Sequence, residues 1–444
     1  MQLGGTAASI GRTDMTRASA TPSELSSKTW LMGVVSRALA LGAVVAVLVA
    51  QWLARDHRPD FSDFKVYWVA GGKALEHLTV YDVQGHYQYK YSPFVAWLWA
   101  WPHALPGQRY QWALLHYAAC CSGFLGVWFL LARVIDRARA FWLWLGLVLV
   151  FSIGLRDELK LGQANLWPFL CVLPAWFIGP RVRPRGDHGA RGSDWRGFAI
   201  GALWAFAIQW KLYALILAPV WLLRRRVSVG VGALVFTLFS LFGVLALVHG
   251  PEFALSENVR WLRSLTASSE ELLVSQYNVS TLGVLGKWGR CVGLSSRAWT
   301  YCVWLALLPA FAVPLWWAER SAETRNSPFL RFWSASWAWA FIVVLNPLVW
   351  PYWLLLCLPL FLAYVADTVL KSQRGADPTF IAVCGLFACA NWFQNTSLVH
   401  NGLSLVAAAA LLFDAQRRVR KRRQTQHAST SALPLSLSPT QRSH

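Results

Sequence analysis

Apolar runs separated by short polar gaps recur along most of the chain. Several runs approach or exceed the roughly 20 residues that an α-helix needs to cross the hydrocarbon core of a membrane. They cover residues 31–53, 110–132, 141–155, 165–179, 198–209, 212–223, 228–249, 299–318, 332–346, 349–369, 378–391 and 400–413. The pattern predicts an all-α polytopic membrane protein with about 12 transmembrane or partial helices.

The composition supports this prediction. Of 444 residues, 56% are hydrophobic and only 14% are charged, whereas a soluble protein carries about a quarter charged residues. The net charge of +20 comes mostly from the short gaps between runs and from the basic tail at 417–423. Because cytoplasmic loops carry an excess of Lys and Arg, this charge indicates orientation in the membrane and not a nucleic-acid partner.

The basic gaps also fix a topology. With twelve crossings and the N-terminus inside, every basic cluster falls on the cytoplasmic side. A single helix over 197–223 would place Arg196 and Arg224 on opposite faces, so two short helices with a turn near Gln209, Trp210 and Lys211 are expected. Short or broken helices of this kind often line a polar cavity in membrane proteins.

The same pattern divides the chain into three parts. Residues 1–30, rich in Ser, Thr, Gly and Ala, are expected to be a disordered cytoplasmic N-terminus, and 414–444 a basic, disordered cytoplasmic tail. Residues 31–413 form the predicted transmembrane domain, with a first outer loop at 54–109 and a large outer loop at 250–298. The expected location is the plasma (inner) membrane. No nucleotide-binding motif occurs in the cytoplasmic gaps, so chemistry is expected on the extracytoplasmic face.

Two aspartates in the first outer loop are the strongest candidates for catalysis. Asp60 and Asp63 follow the first apolar run, and acids at a membrane boundary are costly to keep there. A carboxyl group near an apolar surface can have a raised pKa and act as a general base for a hydroxyl nucleophile. For the tyrosines that follow, residue type alone favours an aromatic belt at the interface over a role in a site.

Further polar side chains are predicted on the same outer face. Gln163 and Asn165 can bind sugar hydroxyls, and Lys211 can neutralise a phosphate, although a lysine snorkelling to the interface is the alternative. The charged stretch 156–160 is interpreted either as an internal salt-bridge cap or as part of a site. The candidate substrate-binding residues are Tyr67, Tyr89, Tyr91, Gln163, Asn165, Lys211, Arg260, Arg263, Gln276, Asn278, Trp350 and Tyr352.

Several of these motifs resemble glycosyltransferase family eighty-seven, bacterial membrane enzymes with the GT-C fold that use polyprenyl-phosphate-mannose. The resemblance covers roughly residues 35–370 in spaced motifs, and one departure is Pro351-Tyr352-Trp353, where the family often carries histidines after an aromatic residue. The matching segments are DFKVYW at 63–68, Gly71, Ala74-Leu75, Tyr81, YKYSPF at 89–94, GQAN at 162–165, Lys211 with its apolar run and the basic 224–226, and, more loosely, QYNVS at 276–280.

The resemblance implies an inverting, metal-independent mannosyltransferase without a cofactor. Asp63 would be the general base, with Asp60 as the rival, and Lys211 would meet the leaving phosphate, with Arg260 or Arg263 as alternatives. The acceptor would be a lipid or glycan of the cell envelope, and the partners would be the polyprenyl-phosphate-sugar donor and membrane lipids.

Three alternatives stay open from the sequence. One is a transferase for a polyprenyl-phosphate-pentose of the arabinose type. The second is a lipid or solute transporter, which would show internal repeats and charged residues in mid-span. The third is a non-catalytic membrane scaffold, which gives no reason for acids beside the first span.

Overall fold

All regular elements among the described residues of the computed structural model are helical. The described residues are 61–82, 88–132, 140–141, 144–145, 148, 152–178, 195–224, 226–266, 275, 278, 280–293, 296–321, 324, 328–346, 356–360 and 363. The predicted N-terminal segment, the first apolar run, the last two runs and the basic tail lie outside them.

Several helices follow the predicted apolar runs, whereas the helix Ser152–Leu161 extends into the polar gap predicted between the runs 141–155 and 165–179. Residues 110–132, 165–179 and 299–318 are each helical over nearly the expected range. A 3₁₀ segment, Leu212–Leu217, precedes α7, and a π-helical turn, Phe239–Val244, joins α8 to α9. The helices are α1 Ser62–Leu75, α2 Pro93–Ala104, α3 Arg109–Leu131, α4 Ser152–Leu161, α5 Leu166–Ile178, α6 Trp195–Trp210, α7 Ala218–Leu223, α8 Val227–Leu238, α9 Leu245–His249, α10 Pro251–Thr266, α11 Thr281–Cys291, α12 Ser296–Arg320, α13 Pro328–Ala340 and α14 Ile342–Leu345.

Among the residues that the structure describes, three helical stretches are long and apolar enough to cross a membrane. They are Arg109–Phe129, Val227–His249 and Ala298–Arg320. Large apolar side chains on their surfaces are exposed on the protein, for example Phe129 at 61% and Leu247 at 85%. Water would penalise such apolar surface and lipid would not. The described residues therefore support membrane association of a helical protein.

The predicted break between two short helices near Lys211 is confirmed. Helix α6 ends at Trp210, and Lys211 has an extended backbone with φ −148° before the 3₁₀ segment begins. The indole N–H of Trp204 donates to the carbonyl of Ala214 over 2.8 Å. In one continuous helix these residues would lie about 15 Å apart along the axis, so the chain turns back at Lys211.

The two predicted outer loops contain more regular structure than the sequence prediction gave them. The described part of 54–109 folds into α1 and α2, and that of 250–298 into α10 and α11. Helix α2 has only 12 residues, so reading the sequence for runs long enough to cross a membrane does not detect it. Its start is nevertheless encoded locally, since the Ser92 hydroxyl accepts a hydrogen bond from the Val95 N–H and proline follows at the first helical position.

Two helix contacts position the elements that carry polar residues. Helices α6 and α8 cross with their backbones in close contact, because Gly201 lies against the Val229 carbonyl and Gly232 against the Phe198 carbonyl. A side chain at either glycine would force the helices apart. Helix α1 packs along α2, where a ring nitrogen of His103 forms a 2.7 Å hydrogen bond with the Trp68 carbonyl.

Candidate active site

The N-terminus of α1 is held against the turn between α4 and α5. The N–H of Phe61 donates to the carbonyl of Lys160 over 3.0 Å. Gly162 has φ +67°, a conformation that glycine adopts without strain. A Cβ atom at Gly162 would also come within 2.8 Å of the Phe64 Cβ. Glycine at 162 thus allows the close contact that brings Asp63 next to Gln163.

Gln163 links the aspartate to the lysine. Its side-chain N–H donates to the Oδ2 atom of Asp63, and its Oε1 atom lies 3.5 Å from the Nζ atom of Lys211, which donates to it. The amide therefore contacts the carboxylate through its nitrogen and the ammonium through its oxygen. An amide can hold both groups in place at once because it carries a donor and an acceptor.

Two tyrosines complete the network. Lys211 Nζ donates to the Tyr91 hydroxyl over 3.0 Å, and this hydroxyl lies 2.7 Å from that of Tyr67. Tyr67 comes four residues after Asp63 on α1, so both lie on one face of the helix. Burial raises the pKa of Tyr67 well above its usual value, which keeps its hydroxyl protonated. For Tyr67, which has no exposed surface, the aromatic-belt interpretation is wrong.

Residues outside the network bring Tyr91 to Lys211. The Ser92 N–H donates to the Gln209 carbonyl over 3.1 Å, and the Ser92 hydroxyl donates to the Gln209 side chain over 3.2 Å. Because Tyr91 precedes Ser92 and Lys211 follows Gln209 by two residues, this contact sets their side chains together. The ammonium lies 4.8 Å from the centre of the Tyr91 ring, within cation–π range.

Asn165 is held by the buried carboxylate of Glu158, which caps the start of α5, whereas an ion pair within the charged stretch 156–160 joins Arg156 to Asp157. Glu158 accepts hydrogen bonds from the Asn165 N–H at 2.6 Å, the Asn165 side chain at 2.7 Å and the Leu166 N–H at 3.2 Å. The Asn165 side-chain oxygen accepts from the Tyr213 hydroxyl at 3.2 Å. Burial raises the pKa of Glu158 to about 7, while the hydrogen bonds from Asn165 and the charge of Lys211 act in the opposite direction.

An apolar cavity of about 260 Å³ lies behind the network. Four tryptophans line it, together with His116 and a few small or aliphatic side chains. The ring of Tyr67 lies 6.0 Å from that of Trp210 and 6.1 Å from that of Trp99, so the aromatic side chains connect the cavity to the polar groups. The buried indole N–H of Trp210 has no acceptor among the described residues.

Other predicted site residues have different surroundings. Tyr89 is buried, and its hydroxyl donates to the Ser92 carbonyl over 3.0 Å. Arg260 pairs with Glu257 over 3.2 Å, and Arg263 is exposed on the same helix. Asn278 is buried in the turn before α11, where it accepts from the Ser280 N–H. Predicted residues that lie outside the described residues are Asp60, Gln276, Trp350 and Tyr352.

Three residues around the site were not singled out from the sequence. Tyr213 and His116 lie within apolar runs, where nothing local marks them, and Glu158 was assigned only to a charged stretch. A signal for Glu158 exists: an acid eight residues before the first residue of a helix, with a glycine turn between, can reach back to cap that helix. Among the described residues, no group of three or more His, Cys, Asp or Glu side chains could hold a metal ion.

Comparison with known proteins gives one match. No curated protein and no solved structure matches the chain. The model of glycosyltransferase family 87 matches residues 89–345, more than half of the chain, and this range includes Tyr91, Gln163 and Lys211 but begins after Asp63. The chain therefore belongs to glycosyltransferase family 87.

Proposed function

We propose that this glycosyltransferase moves mannose from polyprenyl-phosphate-mannose to a hydroxyl group of a lipid or glycan acceptor, with inversion at the anomeric carbon. The observation that carries the proposal is the network of Asp63, Gln163, Lys211, Tyr91 and Tyr67 beside an apolar, tryptophan-lined cavity. Transfer from a lipid phosphate requires a base for the acceptor proton, a cation for the leaving phosphate and an apolar cavity for the lipid chain. The transporter and scaffold alternatives are set aside, since the family is one of glycosyltransferases.

The reaction assigns a role to each charged group. The acceptor oxygen attacks the anomeric carbon while the bond from that carbon to the phosphate oxygen breaks. The bonding electrons leave with the polyprenyl phosphate, and the acceptor proton passes to the carboxylate of Asp63. Gln163 orients that carboxylate. Asp63 is favoured over Asp60 because it contacts Gln163.

Lys211 and the tyrosines stabilise the leaving phosphate. The ammonium offers a compact positive charge where negative charge develops. The Tyr67 and Tyr91 hydroxyls, which bond to each other here, can instead donate to phosphate oxygens. The buried Trp210 N–H can donate to an oxygen of the substrate. The tryptophan-lined cavity would take the isoprenoid segment next to the phosphate, since apolar and aromatic walls favour such a chain.

The proposed side of the membrane is extracytoplasmic. Lys211 and Arg224 lie at opposite ends of the apolar segment Leu212–Leu223. Arg224 contacts Glu319 and the Arg331 carbonyl, so two basic gaps, the one at 224–226 and the one that contains Arg331, lie near each other at that end. The positive-inside rule places this end in the cytoplasm and Lys211 on the other face. The full predicted architecture, a GT-C fold in a multi-pass protein, is part of the same proposal.

The test is transfer of radiolabelled mannose from polyprenyl-phosphate-mannose to lipids and glycans in membranes that contain the protein. We expect a labelled product with the wild type and with Asp60→Ala, and none with Asp63→Ala. Hydrolysis of the product by linkage-specific mannosidases reports the stereochemistry. Labelling only from a polyprenyl-phosphate-pentose donor would contradict mannose transfer, and full activity of Asp63→Ala would contradict the assigned base.

A further inference from the structure

The turn that carries Gln163 is held from two sides by buried groups that take no direct part in the proposed reaction. On one side is Glu158, which has no exposed surface. Its two oxygens accept three hydrogen bonds, two of them from the backbone N–H groups of Asn165 and Leu166. A buried carboxylate is costly to keep, and these donors at the start of α5 offset that cost.

On the other side is His116 of helix α3. Its Nδ1 atom accepts from the Trp167 indole N–H over 3.2 Å, so the ring hydrogen is on Nε2. Nε2 then donates to the Gln163 carbonyl, which lies 3.1 Å away. His116 is buried, with 4% of its surface exposed. The Trp167 contact thus sets the tautomer in which Nε2 donates to the backbone at Gln163.

The two contacts constrain adjacent backbone groups. Glu158 fixes the N–H groups that follow Gln163 by two and three residues, and His116 fixes the carbonyl of Gln163 itself. The side chain of Gln163 therefore starts from a defined position when it reaches Asp63. Catalytic geometry generally has to be held to about 0.5 Å, by residues that do not touch the substrate.

We infer that Glu158 and His116 are positioning residues for the transfer reaction, which hold the turn 162–165 so that Gln163 orients Asp63. The inference rests on the proposed function for the role of Asp63. It assigns to two buried residues an effect on turnover that acts entirely through Gln163.

The first part of the test measures the turn without any substrate. Glu158→Leu keeps a buried side chain of similar size but removes the Oε1 atom that accepts from both backbone N–H groups, so hydrogen exchange at the Asn165 and Leu166 amides should rise about tenfold or more. Asp157→Asn is the matched control, since it removes the neighbouring carboxylate on the same helix, which pairs with Arg156. Exchange in the control should match the wild type. Unchanged exchange in Glu158→Leu would overturn the inference whatever the donor proves to be.

The second part measures coupling to Gln163. Glu158→Leu alone should lower single-turnover transfer about 10- to 100-fold with donor affinity nearly unchanged, and His116→Phe should lower it in the same way. In a Gln163→Ala background either change should cause little further loss. Losses that multiply in the double variants would overturn the inference. If Asp63→Asn keeps full turnover, the proposed function fails separately, and the exchange data still decide whether Glu158 holds the turn.

Discussion

Two polar clusters lie at the two ends of the segment Leu212–Leu223, and they are built differently. At one end, the Arg224 guanidinium forms two 2.8 Å hydrogen bonds with the Glu319 carboxylate and contacts Ser334. At the other end, Lys211 and Asp63 are joined through the neutral amide of Gln163. The first cluster pairs its charges directly, whereas the second places a neutral group between them.

This difference separates a structural cluster from a reactive one. A bidentate pair satisfies the geometry of both ions and ties together the helices that carry them, here α7 and α12. A carboxylate and an ammonium that both contact one neutral amide can each exchange that contact for a substrate group, since a single hydrogen bond to an amide is weaker than a bidentate ion pair. The cluster at Arg224 is thus expected to determine stability, and the one at Lys211 to determine turnover.

Breaking the Arg224 pair should give the largest effect. This effect should be on stability and not on turnover. Glu319→Gln leaves a nearly buried guanidinium without its counter-charge, so the free energy of unfolding should fall by about 3–5 kcal/mol. Thermal unfolding in nanodiscs measures this change, with the exposed Glu252→Gln as control. Turnover per folded molecule should stay at the wild-type level, and a selective loss of turnover would contradict the division of roles.

Removing the cation of Lys211 at the other end should lower turnover and leave stability nearly unchanged. Lys211→Met retains the apolar stem but removes the charge that meets the leaving phosphate, so turnover should fall about 10²- to 10³-fold. The unfolding temperature should change little. Lys73→Met is the matched control, because Lys73 pairs with the half-exposed Asp82 on the same predicted face. A loss of stability without a loss of turnover would show that Lys211 acts as Arg224 does.

Much of the reactive cluster could be predicted from the sequence, because its members lie at polar interruptions of apolar runs. Asp63, Gln163 and Lys211 each follow or precede such a run, and the positive-inside rule alone required the turn at Lys211. Helix α2 was missed because it is apolar but short. Glu158 and His116 could not be assigned because their roles depend on burial and on partners from other parts of the chain.

A pair of tyrosines should sharpen the comparison within the site. Tyr91→Phe removes the hydroxyl that bonds to Lys211 and Tyr67, so turnover should fall about tenfold, the cost of a hydrogen bond to a charged group. Tyr89→Phe removes a hydroxyl that donates only to the Ser92 carbonyl among its described hydrogen bonds. It should affect stability slightly and turnover hardly at all. Equal effects on turnover would place Tyr89 in the site as well.

A further prediction concerns pH. Burial raises the pKa of Glu158 from 4.5 to about 7, so between these values the folded state binds a proton that the unfolded state releases. The wild type should therefore gain stability relative to Glu158→Gln as the pH falls from about 7 to 4.5, and lose it as the pH rises. The titratable groups that interact electrostatically with Glu158 are Lys211, Tyr67, Tyr213 and Cys120. Unfolding temperatures of both proteins at pH 5 and pH 8 test this, and parallel curves would contradict it.

The most direct test of the central claim is the single-turnover rate of Asp63→Asn, measured beside donor binding. Asparagine keeps the shape of the side chain but cannot take the acceptor proton. Asp82→Asn serves as the control, since Asp82 is half-exposed and pairs with Lys73. If Asp63 is the base, transfer falls by about 10³-fold or more while donor affinity stays within about twofold and the control is unaffected. Transfer within tenfold of the wild type would contradict the assignment.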